Sequence, residues 1–155
     1  MISFDIIVAC CNKYGIGNDG QIPWQLKNDL KHFRKLTTEV PKSLMSEGYR
    51  NVVIMGRVTW ESLPEKYRPL PNRFNIVLTS RINYLNHPCF DDERYHNNVK
   101  TYRSLDDALE VINRTEYTLK FNKVFVIGGS GVYEEAIRSR YCNNIHLTKI
   151  YKAFE

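Results

Sequence analysis

Buried strands alternating with amphipathic helices place this chain in the α/β class, with a mostly parallel central sheet and helices on both faces. Three observations carry that expectation. Continuous apolar, β-rich runs recur at 4–10, 51–55, 75–79 and 123–127, and read as strands covered on both sides. Segments with apolar residues at helical spacing lie between them. The 155 residues, 43% hydrophobic and 25% charged, suffice for one core and leave no room for a second, so one domain is expected over 1–155.

In chain order, residues 4–10 form the first strand, followed by a Gly-, Asn- and Asp-rich loop over 12–23. After Trp24, the spacing of Leu26, Leu30, Phe33 and Leu36 predicts a helix of about three turns. Residues 38–50 read as loop, 51–55 as a strand and 57–63 as a short helix stopped by Pro64. Three prolines make 64–72 a rigid, turn-rich segment before the strand at 75–79. A poorly patterned loop over 84–98 leads to a strand at 99–102. Ser104 then caps a helix with Leu105, Leu109 and Ile112 on one face and Asp107 as an acid at its third position. A strand at 123–127, a glycine loop at 128–131, a helix at 132–139 and a last strand at 144–150 complete the order. No segment repeats.

The apolar run at 6–11 is too short to span a bilayer, and it follows Asp5 with no basic segment before it, so neither a membrane helix nor a secretory signal is expected. Lys and Arg number 22 against 17 Asp and Glu, a net charge of +5 that suits an anionic partner without naming one. The basic residues do not form the dense stripe with interleaved aromatics that nucleic acid calls for; Lys27, Lys31, Arg34, Lys35 and Lys42 read as the wet side of a helix. Cys10, Cys11, Cys89 and Cys142 form no CxxC pair and read as free thiols in a reducing, cytoplasmic compartment. The four histidines lack metal-ligand spacing, so no metal site is implied.

Two glycine motifs differ in context. Gly15-Ile16-Gly17-Asn18-Asp19-Gly20 matches the dinucleotide fingerprint, but the strand ends well before it and Gln21-Ile22-Pro23-Trp24 follows instead of a helix. It reads as a loop leading into a site. Gly128-Gly129-Ser130-Gly131 lies directly between a strand and a helix, where bare amides and the helix dipole would face an anion. A ligand-free tight turn requiring positive φ explains it equally well. Asp29 shares the helix side of Leu26, Leu30 and Phe33, with Trp24 and Phe33 about a turn to either side. It is either a boundary residue with its oxygens in water or an acid in a pocket for a flat heterocycle.

The chain resembles dihydrofolate reductase in consistent order from residue 4 to the last residue, through five separate motifs. They are Ile16-Gly17-Asn18-Asp19-Gly20-Gln21-Ile22-Pro23-Trp24, Val53-Ile54-Met55-Gly56-Arg57-Val58-Thr59-Trp60, Pro64-Glu65-Lys66-Tyr67-Arg68-Pro69-Leu70, Arg103-Ser104-Leu105-Asp106-Asp107-Ala108-Leu109 and Ile127-Gly128-Gly129-Ser130-Gly131-Val132-Tyr133. The resemblance implies a three-layer sandwich and an oxidoreductase of one-carbon metabolism, a target of antifolates. It would reduce 7,8-dihydrofolate to tetrahydrofolate with NADPH by hydride transfer to pterin C6 and protonation at N5. Carried onto this chain, Asp29 would grip the pterin, with Thr148 hydrogen-bonded to it and Trp24 and Ile22 beside the reacting centre. Ile7, Leu30, Phe33, Arg34, Leu63, Tyr67 and Leu70 would line the substrate site, and Arg73 would clamp the α-carboxylate of its glutamate tail. Ala9, Ile16, Gly17, Gly20, Gln21, Ile127, Gly128, Gly129, Ser130, Gly131, Val132 and Tyr133 would hold the nicotinamide and pyrophosphate. Gly56, Arg57, Val58, Thr59, Thr79, Ser80, Arg81 and Arg103 would hold the adenosine end. Ser80 stands where vertebrate-type members place an arginine, with Arg81 next to it. The resemblance also implies cis peptides at Arg68–Pro69 and Gly128–Gly129. Relatives continue past residue 155 with further strands, so a C-terminally incomplete sheet, and a thymidylate synthase segment in a longer parent chain, are expectations. The alternatives are a pyrimidine reductase of riboflavin synthesis with the same fold, or a catalytically impaired NADPH-binding fragment.

Overall fold

The computed structural model describes residues 3–11, 27–64, 68–81 and 98–150, with backbone alone at 8–11, 27–30, 115–119 and 146–150. Strands β1 (Phe4–Cys11), β2 (Arg50–Gly56), β3 (Arg73–Leu78), β4 (Val99–Tyr102), β5 (Phe121–Gly128) and β6 (Cys142–Ile150) form one sheet in the order β4-β3-β2-β5-β1-β6. All pairings among the described strands are parallel. Helices α1 (Lys27–Thr38), α2 (Lys42–Met45), α3 (Arg57–Ser62), α4 (Leu105–Leu119) and α5 (Ser130–Ile137) connect them.

The strand period of two sorts the core into two layers. Along β2, Val52 and Ile54 enter one layer while Val53 and Met55 enter the other; along β5, Val124 and Val126 alternate with Phe125 and Ile127. Leu105, Ala108, Leu109 and Ile112 of α4 and Ala136 of α5 close the first layer. Trp60 from α3 and Leu63 just past its end close the second, with Phe33 and Leu36 of α1 packed against them. This is the expected sandwich of helices on both faces of a sheet.

Differences from the sequence reading sit at element ends. Residues 42–45, expected as loop, close one helical turn after Pro41, whose carbonyl accepts the amides of Leu44 and Met45. That turn buries no side chain, so it leaves no periodic signal. β3 starts at Arg73 and β6 at Cys142, each two residues earlier than apolar patterning suggests. α5 likewise starts at Ser130, since a glycine at 131 conceals a first turn. At α4 the expected cap is present: Ser104 Oγ accepts the Asp107 amide at 3.1 Å, with Asp106 and Asp107 in the first turn.

From β1 the chain crosses to β2 and steps outward to β3 and β4. It then returns to β5, between β2 and β1, and reaches β6 at the opposite edge of the described strands. The connections leaving β2 and β5 therefore run in opposite directions, which opens a crevice at their C-terminal ends.

Candidate active site

The crevice is floored by backbone. Gly56 ends β2, and a Cβ there would lie 3.1 Å from Val132 Cγ2 and 3.8 Å from the Gly129 amide nitrogen. Across from it, Ile54 pairs with Val126 but Met55 pairs with Gly128, so the ladder shifts by one residue where β5 ends. Gly128 has φ +131°, and a Cβ would lie 3.2 Å from Tyr133 Oη and 3.4 Å from Thr59 Oγ1. Conformation and space both demand glycine there. The Gly128–Gly129 and Arg68–Pro69 peptides are cis, as the resemblance implies.

Tyr133 secures this end of the sheet. Its hydroxyl lies 2.7 Å from the Ile7 carbonyl and 2.8 Å from the Ile127 carbonyl, so one proton serves both and joins β1 to β5. Burial pushes the phenol pKa up, which keeps that donor in place. Beyond it α5 begins without a side-chain cap, and the Cα of Gly131 faces open space. Uncapped amides at a helix start, reachable from outside, form a cradle for an anion. The glycine run is thus both a tight turn at Gly128 and an open cradle beyond it.

A second group follows from strand register. Gly56 pairs with Leu78 and Leu78 with Tyr102, so Arg57, Thr79 and Arg103 are the first residues past three adjacent strand ends. Arg57 Nη1 donates to both carboxylate oxygens of Glu61, at 3.1 and 3.0 Å, at a partly exposed site. Thr79 Oγ1 accepts the Arg81 amide at 3.1 Å and shapes the turn through Ser80. Val58 is exposed and Thr59 buried.

The third group lies in the α1-facing layer. Arg73 is only 4% exposed. Its Nη1 donates to Thr37 Oγ1 at 2.9 Å and its Nε to the Pro71 carbonyl at 2.9 Å. No carboxylate among the described residues lies within ion-pair distance of it. Burial, reinforced by the nearby Arg34 charge, lowers its pKa to about 10. A guanidinium desolvated in this way is stabilised by any carboxylate that reaches it. Its ring neighbour is Phe33, 6.0 Å from centroid to guanidinium carbon. Two buried asparagines build its surroundings. Asn51 donates to the Thr37 and Glu39 carbonyls at 2.9 and 3.0 Å and accepts the Lys123 amide at 3.0 Å, fixing the end of α1 against β2 and β5. Asn75 holds the turn before β3, accepting the Leu70 amide at 2.9 Å and donating to the Leu70 and Arg73 carbonyls.

Ile7, Leu63, Leu70 and Ile127 are buried in this same layer, Phe33 lies against it, and Arg34 is exposed on α1. Asp29 and Leu30 fall in the first turn of α1, and Thr148 is paired with Ala9 in the β1–β6 register; for these four the backbone alone is described. Ile16, Gly17, Gly20, Gln21, Ile22, Trp24 and Tyr67 lie outside the described residues. Thr37, Asn51 and Asn75 are absent from the sequence reading. An asparagine in an apolar strand run was the one signal for Asn51 and Asn75, and Thr37 in α1 had none.

A parallel sheet with helices on both faces, and a glycine-floored crevice with an uncapped helix start at its switch point, defines the class of doubly wound α/β proteins. Comparison with known proteins narrows this. The family model described as Dihydrofolate reductase matches residues 3–155, and the chain belongs to that family. It is 37% identical over 155 residues to the dihydrofolate reductase of Aedes albopictus, covering 100% of this chain and 77% of the relative. It is 39% identical over 153 residues to the bifunctional dihydrofolate reductase-thymidylate synthase of Glycine max, covering 99% of this chain but 27% of the relative. The chain thus spans about a quarter of the length of the bifunctional relatives it matches. Among solved structures, Schistosoma mansoni dihydrofolate reductase superposes with a TM-score of 0.79 at 32% identity, over 99% of this chain and 76% of that one. No helix among the described residues is long and apolar enough to cross a membrane.

Proposed function

We propose that this chain reduces 7,8-dihydrofolate to 5,6,7,8-tetrahydrofolate with NADPH, as part of cytoplasmic one-carbon metabolism. The observation that carries the reading is Arg73. It is a buried cation without a described counter-charge, in the layer shared by Ile7, Leu63, Leu70 and Phe33. A substrate with an apolar body and a terminal carboxylate supplies what that layer lacks. A pyrimidine reductase substrate, with no glutamate tail, would leave Arg73 without a role.

The residues fit the dinucleotide. Gly56 and Gly128 admit close backbone approach, and the α5 amides from Ser130 to Val132 would take the pyrophosphate. Arg57, Thr79, Ser80, Arg81 and Arg103 would hold the adenosine end, where several cations suit the extra phosphate of NADPH over NADH. When bound, the cofactor supplies the hydride that reaches pterin C6. Asp29 would accept hydrogen bonds from the pterin 2-amino group and ring nitrogen, oriented by Thr148. Trp24 and Ile22 would shield the reacting carbon, and the loop containing Ile16, Gly17, Gly20 and Gln21 would close over the site and admit the water that protonates N5. The thymidylate synthase segment of the plant relatives is the candidate partner in a longer parent chain, and antifolates would occupy the substrate site.

The test is absorbance loss at the NADPH band on adding dihydrofolate, with and without methotrexate. The reading predicts methotrexate-sensitive turnover. Asp29→Asn should cut kcat/KM by orders of magnitude near neutrality, and the residual activity should rise as acid protonates the substrate in advance. No turnover, or a wild-type pH profile in Asp29→Asn, contradicts it.

A further inference from the structure

Helix α4 begins where two distant parts of the chain meet. The Asp107 amide is taken by Ser104 Oγ and the Ala108 amide by the Ser104 carbonyl, each at 3.1 Å. The Leu105 amide has no acceptor within its own helix. It donates instead to Glu135 Oε1 at 3.1 Å, a side chain in the second turn of α5. Beyond this contact the outer sides of the two helices part around a cleft of about 960 Å³, with Glu110 and Arg114 of α4 on one wall and Glu134 and Arg138 on the other. The backbone before Arg103 is anchored as well, since the Thr79 amide donates to the Tyr102 carbonyl at 2.9 Å. Arg103 is exposed, so its place is set by these neighbours and not by packing of its own side chain. It stands between two long-range anchors. One is the turn after β3, shaped by Thr79; the other is α5, about one turn past the amides of Ser130 to Val132.

We propose that Glu135 is a positioning residue: by holding the start of α4 it places Arg103 for the 2′-phosphate of the cofactor, and so sets the preference for NADPH over NADH. The inference rests on the dinucleotide reading above, in which the α5 amides take the pyrophosphate and Arg103 belongs to the adenosine end. An anion with two separated phosphate groups is held best by groups whose spacing is fixed before it arrives. Glu135 fixes that spacing with one hydrogen bond, because the helix that offers its amides to one phosphate carries the carboxylate that caps the helix beside the other. The role requires an acceptor oxygen at this reach, and negative charge alone does not supply it. Because Arg103 lies away from the reacting carbon, the effect falls on cofactor binding and not on the chemical step.

The experiment titrates NADPH and NADH against wild type and Glu135 variants by intrinsic fluorescence, with melting temperatures to show that each variant is folded at the assay temperature. Glu135→Ala should weaken NADPH by roughly threefold to tenfold, as expected when one charge-assisted contact is loosened and not lost, and should leave NADH nearly unchanged. The kcat at saturating NADPH should stay the same. Glu135→Gln, which keeps an acceptor at the same reach, should retain the wild-type preference. Glu135→Asp, which keeps the charge but is one methylene shorter, should behave as Glu135→Ala. In an Arg103→Met background the effect of Glu135→Ala on NADPH should vanish. Equal weakening of both cofactors overturns the proposal, as does a loss in Glu135→Gln as large as in Glu135→Ala. An effect that persists undiminished without Arg103 overturns it too. A wild type that binds neither cofactor removes the dinucleotide reading and this role with it. NADPH-dependent reduction of dihydrofolate, with the preference intact in Glu135→Ala, removes the role alone.

Discussion

On the α4 and α5 side of the sheet the buried side chains are aliphatic or aromatic, and the Tyr133 hydroxyl is the polar group among them. On the α1 and α3 side, Val53, Met55, Val77 and Ile127 share their layer with Asn51, Arg73 and Asn75 from the same strand faces and with Thr37 from α1. Burying polar groups costs free energy unless each is bonded, and here Asn51, Asn75 and Thr37 are bonded to backbone. Arg73 is bonded but lacks a described counter-charge. A layer built only for stability gains nothing from such a cation. One layer therefore supports the sheet, and under the proposed function the other is shaped around the substrate.

The largest expected effect tests the dry layer. Ile112→Ala should lower stability by about 2–5 kcal/mol through lost burial and a residual cavity, with KM for dihydrofolate and NADPH unchanged. Denaturant unfolding and steady-state kinetics read the two sides, and comparable shifts in KM would erase the division. Gly128→Ala comes next: the positive φ and the contact with Tyr133 should cost about 1–3 kcal/mol and weaken NADPH more than dihydrofolate. Unaltered NADPH affinity, measured by titration, would separate Gly128 from the cofactor site.

Arg73→Met sharpens the contrast from the other side. Removing an uncompensated buried charge should not lower the melting temperature of the ligand-free chain, whereas a fall comparable to that of Ile112→Ala would make Arg73 a structural residue. The pH dependence has a definite sign. With its pKa lowered to about 10, Arg73 is charged at neutral pH, so KM for dihydrofolate should be flat below that value and climb as pH rises through it. The smallest effect belongs to Tyr133→Phe, which removes the hydroxyl joining β1 to β5. Loss of about 1 kcal/mol of stability with a several-fold lower kcat is expected, and an unchanged kcat would limit the hydroxyl to support.

The dry layer was largely legible in the sequence, because Val52, Ile54, Val124 and Val126 sit in continuous apolar runs, and Leu105, Leu109 and Ile112 repeat at helical spacing. Gly128 was reached through its place between a strand and a helix, and Arg73 through the family resemblance, but the burial of Arg73 was not. Whether a polar side chain is buried depends on partners distant in sequence. Asn51 meets Lys123 across 72 positions, and Arg73 meets Thr37 across 36. Periodicity reports which face a residue is on, and says nothing of what waits there.

A binding cycle tests the central claim, that Arg73 is a cation held ready for the substrate's carboxylate. Dihydrofolate and a dihydropterin lacking the glutamate are each titrated against wild type and Arg73→Met. The account predicts that the substitution weakens dihydrofolate by roughly tenfold to a hundredfold, the worth of one charge-assisted contact, and leaves the tail-less ligand unaffected. Equal weakening of both ligands, or of neither, would contradict it.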